Sequence, residues 1–312
     1  MGMFSKSHLF DLTRQGVLRL SSPLDKIYPF LAVVYALVAP LFTSAIVSVP
    51  LAAIFIISGK DYLGAGAVLS SSAGMATLLV VGFGPIFFLV WGWLRLFERR
   101  SLWTIGLERQ AWFMKYLRGA LLGLVMIGAA VALPAIFGST YMEANAVGMW
   151  AAITGSLLLL VGWVVQGAAE EVLFRGFLLQ IIGSHYGYVV GVLVSSVLFA
   201  LLHIFNANLS LLAVLNLMLF GMFTAFYALK EGGLWGVFAV HSLWNWAQGN
   251  LFGLEVSGLP VQLDAVIRLK GIGPAWLTGG AFGPEGGIAV TLVLLAGLMI
   301  LWLSSRRGQP DV

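Results

Sequence analysis

Residues 166–179 read QGAAEEVLFRGFLL: two adjacent carboxylates, Glu170 and Glu171, and the guanidinium of Arg175 lie inside one of the most apolar parts of the chain. Their setting decides the fold. Of 312 residues, 60% are hydrophobic and 10% are charged, whereas a soluble domain is nearer about a quarter charged. Too few polar side chains exist to cover a water-facing surface, so the chain reads as an integral membrane protein. Cysteine is absent, which removes disulfides, thiolate nucleophiles and cysteine-ligated metals from consideration. The net charge of +4 rests on few groups and gives no sign of a nucleic-acid partner.

Working outward, apolar runs near 32–56, 70–94, 119–138, 152–182, 188–203, 211–229, 234–250 and 287–304 are candidates to cross about 30 Å of hydrocarbon as helix. The expected fold is all-α and polytopic, with about eight transmembrane helices. Pro40 and Pro50 lie in the first run and predict a tilt or kink there. Residues 1–27 read as an amphipathic N-terminal arm at the bilayer interface rather than a cleavable signal. Residues 28–312 read as one membrane domain. An even span count places Lys6, Arg14, Arg19 and Lys26 on one side, together with Arg95, Arg99, Arg100, Arg109, Lys115, Arg118, Lys230, Arg306 and Arg307. By the positive-inside rule that side, with both termini, is cytoplasmic. Lys60, Arg268 and Lys270 fall opposite. The spacings Gly119/Gly123 and Gly187/Gly191 suit close helix contact.

A charge at mid-membrane costs about 2.5–3.5 kcal/mol on insertion scales, so three of them need a reason. Glu171 and Arg175 are four residues apart with the carboxylate first, the favourable order for a helical ion pair. Glu170 is turned by about 100° from that face and is left without a cation of its own. Burial beside a second carboxylate suits it to proton exchange near neutral pH.

Further polar groups fall at matching depth. If the fourth and fifth runs form a hairpin turning at 183–187, Glu170 and His203 both lie roughly 20–24 Å from the turn. His241 and Asn245 lie about 15–21 Å past the next turn on that side, four residues apart on one face. His185, beside Tyr186 in the turn, reads as interfacial; Asn206 and Asn208 read as loop residues, and Asn216 as a supporting polar group. A carboxylate pair, two histidines and an asparagine at one level can activate water and stabilise an oxyanion.

EExxxR (Glu170, Glu171, Arg175), FxxxH (Phe199, His203) and HxxxN (His241, Asn245) occur in one order within 166–250. In this the chain resembles the CPBP family, the CAAX-protease and bacteriocin-processing (Abi) intramembrane proteases that include type II CAAX prenyl endopeptidases. The tail GPAWLTGGAFGPEGGIAVTLVLL, 272–294, is also similar to bacterial members. The resemblance implies a catalytic core within 150–250 and cleavage of a peptide bond in a membrane-associated protein or peptide. It implies that Glu170 and His203 activate the water, and that His241 and Asn245 hold the oxyanion. Glu171, Arg175 and Phe199 would orient the site.

Glu170, His203 and His241 could instead form a His₂Glu zinc set, but their spacing is unlike HExxH, and the expectation is a metal-independent enzyme without cofactor. The alternatives are a non-catalytic membrane scaffold or bacteriocin-immunity protein, which degraded motifs would favour, and an ion-coupled transporter, which would call for an internal symmetry not found in the chain.

Overall fold

A computed structural model describes residues 4, 7–17, 24–58, 71–144, 148–260 and 264–306. Lys6, Arg19, Lys60 and Arg307 lie outside the described residues. Helices dominate. α1 (His8–Val17) precedes α2 (Leu24–Ser58), which runs unbroken through Pro40 and Pro50. α3 (Ser72–Phe83) and α4 (Pro85–Trp93) continue one another across Gly84 and end in a π-helical turn, Leu94–Glu98. After α5 (Trp112–Ile136) comes the short strand β1 (Thr140–Glu143). α6 (Met149–Glu171) passes through the π-helical segment Val172–Leu178 into α7 (Leu179–Tyr186). α8 (Tyr188–Leu202), α9 (Leu211–Glu231) and α10 (Trp235–Trp246) follow, the last ending in the π-helical turn Ala247–Leu251. β2 (Arg268–Gly271), α11 (Ala275–Thr278), two 3₁₀ turns (Gly280–Phe282 and Pro284–Gly286) and α12 (Ile288–Arg306) complete the described residues.

Local sequence accounts for several boundaries. Ser71 and Ser210 cap α3 and α9, accepting from the amides of Gly74 and Ala213, which satisfies amides with no partner inside the helix. Gly232 closes α9 at φ 66°, a left-handed conformation that costs glycine little. Gly187 makes the α7–α8 turn at φ 88°, and a Cβ there would meet nothing within 4 Å. Its role is therefore the turn, while Gly191 is the close contact: its Cβ would stand 2.8 Å from the Leu179 carbonyl oxygen.

Six helices, among the described residues, are long and apolar enough to cross a membrane: Asp25–Ile46, Ser72–Glu98, Trp112–Ile136, Met149–Tyr186, Leu211–Glu231 and Ile288–Arg306. The all-α polytopic fold is as expected, but the structure gives this smaller set rather than eight. The two runs that fall short have a physical reason in common. α8 has 15 residues, about 22 Å of helix at 1.5 Å per residue, and α10 has 12 before its π turn. Both pack along longer neighbours, α8 on α9 and α10 on α5 and α6. Outward-facing side chains such as Phe88, Leu121, Val161 and Ile300 are exposed, as a lipid-facing surface requires.

The connections sort to two faces. On one, Leu234 donates its amide to the Gly106 carbonyl, His8 meets Glu108 at 3.2 Å, and His185, at the end of α7, meets Asp25 at 3.4 Å. On the other, β1 pairs antiparallel with β2, Thr140 opposite Gly271, and the segments 252–260 and 264–287 fold over the helix ends. That loop face also carries Arg268 and Lys270, whereas Lys26, Arg95, Arg99, Arg100 and Arg109 belong to the opposite face. Within the expected arm, α1 has its apolar side buried against the helices: Leu9 and Phe10 are inaccessible or nearly so, and the Thr13 hydroxyl donates to Gln180 Oε1 at 3.1 Å.

α5 and α10 touch backbone to backbone. A Cβ on Gly119 would stand 2.1 Å from the Gly236 carbonyl oxygen, and one on Gly123 would stand 2.6 Å from that of Val240. A Gly119→Leu variant is expected to force the helices apart at a cost of at least about 1–3 kcal/mol, read as a lower unfolding temperature in nanodiscs. An unchanged transition would contradict this contact.

Candidate active site

α6 presents Gln166 and Glu170 one turn apart toward a cavity of about 550 Å³, and Glu171 away from it into the core. Gly167 permits this placement: a Cβ there would come within 2.9 Å of the Ser242 amide nitrogen on α10. α6 and α10 therefore approach closely where they carry their polar groups. Each helix turns π-helical just beyond, after Glu171 and after Trp246, a distortion common near functional sites.

Glu171 is an anchor. Its Oε1 accepts from Arg175 Nη1 at 3.1 Å and from His241 Nδ1 at 2.8 Å, with both acid and guanidinium fully buried. Arg175 Nη2 also donates to the Gly221 carbonyl at 3.2 Å, and its guanidinium carbon lies 4.6 Å from the centre of the Phe199 ring. The ion pair expected from spacing is thus joined by α8, α9 and α10. Phe199 is itself buried, with its ring centre 4.9 Å from that of His203 and 6.0 Å from that of His241.

Hydrogen-bond chemistry assigns the histidine protons. An ionised carboxylate and a carbonyl only accept, so His241 Nδ1 carries a proton toward Glu171 and His203 Nδ1 carries one toward the Phe199 carbonyl, 2.8 Å away. The Nε2 atom of each is left for other partners. His241 Nε2 lies 3.7 Å from Glu170 Oε2, beyond hydrogen-bond reach, and that buried oxygen has no hydrogen-bond partner among the described residues. Asn245, one turn beyond His241, donates from Nδ2 to Gln166 Oε1 at 3.0 Å. Glu170, His203, His241, Asn245 and Phe199 all line the one cavity; Glu171 and Arg175 lie behind it.

Residues 151–247 match the family model for Rce1-like type II CAAX prenyl endopeptidases. That segment is similar to an Rce1-like domain. The matched segment takes in all three motifs and runs from α6 to the end of α10. No curated protein and no solved structure matches the chain. The apolar helices mark a multi-pass membrane protein, and the matched segment within it is similar to a peptidase family.

The zinc alternative would draw on Glu170, His203 and His241. Among the described residues, no three His, Cys, Asp or Glu side chains are gathered so as to hold a metal ion. The Nδ1 atoms of both histidines are engaged, which leaves Nε2 as the atom of each that could ligate a metal. No step below runs through a metal.

The cavity is also lined by a residue that sequence reasoning did not single out. Glu285, in the turn before α12, lines the cavity; its Oε2 accepts from Gln248 Nε2 at 2.5 Å and its Oε1 from the Ser257 hydroxyl at 3.0 Å. Burial pushes the Glu285 carboxyl up from its usual range, and these hydrogen bonds oppose the shift. Asn216, expected as a supporting group, donates to the Glu285 and Gly287 carbonyls at 2.7 and 2.9 Å. Asn206, in the loop after α8, donates to the Ser257 carbonyl at 2.8 Å. The only sequence signal for Glu285 is an acidic residue within the GPEGG run, which says nothing of where that run folds.

Proposed function

We propose that the chain is an intramembrane endopeptidase that hydrolyses a peptide bond in a membrane-associated protein or peptide without a metal. The observation that carries the reading is Glu170 Oε2, a buried carboxylate oxygen with no hydrogen-bond partner, facing a cavity it shares with His203, His241 and Asn245. A water bound there donates to Glu170 and to the free Nε2 of His203. Glu170 takes its proton as the oxygen attacks the carbonyl carbon. The developing oxyanion accepts from the second Nδ2 proton of Asn245 and is held by His241, whose Nδ1 donates to the Glu171 carboxylate. The C–N bond then breaks and Glu170 returns its proton to the leaving amine.

Arg175 keeps Glu171 in place, and Glu171 keeps His241 turned toward the carbonyl. Both termini lie on the cytoplasmic side in this reading, because the Lys- and Arg-rich connections share one face. A non-catalytic scaffold remains the competing reading.

Asn245→Ala removes one oxyanion donor and is expected to lower kcat by about 10²–10³ with KM little changed. His203→Ala is expected to lower kcat as well. Measured on a cleaved peptide in nanodiscs, undiminished kcat in both variants would remove the assigned roles.

A further inference from the structure

A second cleft, of about 500 Å³, opens on the loop face between the β1–β2 ribbon and the 275–284 turns. Thr140, Glu143, Arg268, Lys270 and Thr278 line it. The outer lip is exposed at Ala275 and Ala281. Its inner wall is formed by residues 253–255 and by Gly283 and Pro284, while the next residues along both segments, Val256, Ser257 and Glu285, line the catalytic cavity. Only one thickness of chain separates the two spaces.

That wall is polar. Gln248 Nε2 donates to the Glu255 carbonyl at 2.6 Å on the cleft side and to Glu285 Oε2 at 2.5 Å on the cavity side. The amide of Ser257 donates to Glu285 at 3.1 Å. The mouth of the catalytic cavity is different in kind: Leu41, Phe205 and Leu259 are exposed at its rim, and this apolar opening suits a peptide arriving from lipid.

We propose that the loop-face cleft is the water inlet of the catalytic cavity, passing water across the Gln248–Glu285–Ser257 wall. The proposal rests on the peptidase reading. Each bond cleaved consumes one water, and a peptide seated in the apolar mouth closes that route. The replacement water then arrives through a wall whose donors and acceptors can exchange hydrogen bonds with it.

The test uses the absence of cysteine from the chain. Leu202 is half-buried, lines the catalytic cavity and precedes His203, so Leu202→Cys reports on water there. In nanodiscs, a charged methanethiosulfonate reagent is expected to label it. Ala281→Trp, which plugs the cleft from an exposed position, and Gln248→Leu, which removes the polar bridge, are each expected to slow labelling by about tenfold or more. In the enzyme without the reporter, the same two changes are expected to lower kcat by a similar factor with KM unchanged. Unchanged labelling in both variants overturns the inlet, whatever the activity. Failure of the wild type to cleave any peptide would instead remove the peptidase reading, and the labelling arm would still decide the water path.

Discussion

Glu170→Gln is expected to lower peptide cleavage by about 10²–10⁴, the range set by removing a positioned general base, and to leave the fold intact. The amide matches the carboxylate in shape but cannot take a proton from water. Glu170 makes no hydrogen bond through Oε2 and sits 3.7 Å from His241 Nε2, so no hydrogen bond of that oxygen is lost with the charge. Equal unfolding temperatures in wild type and variant, with cleavage lost, would place the effect in chemistry. Retained cleavage would deny Glu170 its role.

Arg175→Ala is expected to act on stability instead. Glu171 is fully buried and accepts from both Arg175 and His241; without the guanidinium it is an uncompensated carboxylate in the core. Breaking a buried pair from one side costs about 3–5 kcal/mol. The change also removes the bond to Gly221 and the contact with Phe199. The expected result is poor recovery of folded protein and a large fall in unfolding temperature. Arg175→Ala together with Glu171→Leu, which removes both charges, is expected to recover part of the loss. A stable single variant would show that the pair is dispensable.

These two neighbouring carboxylates show what the sequence made legible and what it did not. The Glu171–Arg175 pair is local, one helical turn apart, and its spacing was enough to find it. The depth argument likewise assigned Glu170, His203, His241 and Asn245 to one level, and all four line one cavity. The bond from His241 to Glu171 joins residues 70 apart on different helices, and no periodicity encodes it. Gln166 stood in the opening stretch, but its bond to Asn245 depends on the close approach of α6 and α10 at Gly167. Glu285 was out of reach because a long Gly- and Pro-rich connection carries it back over the helix ends.

The structure gives six such helices among the described residues, where the sequence suggests about eight, for a related reason. Hydropathy reports that a helix is apolar, and α8 and α10 are apolar because other helices cover them as well as because of lipid. Length separates the cases. A helix of about 20 residues spans the hydrocarbon, and neither of these reaches it before a turn or a π-helical break.

The most direct measurement is cleavage of a quenched fluorescent peptide library by the purified protein in nanodiscs, comparing wild type with Glu170→Gln, each with and without a zinc chelator. Metal-free catalysis by Glu170 predicts cleavage by the wild type that survives the chelator and disappears in the variant. Cleavage by Glu170→Gln at the wild-type rate, or its loss from the wild type on chelation, would contradict it.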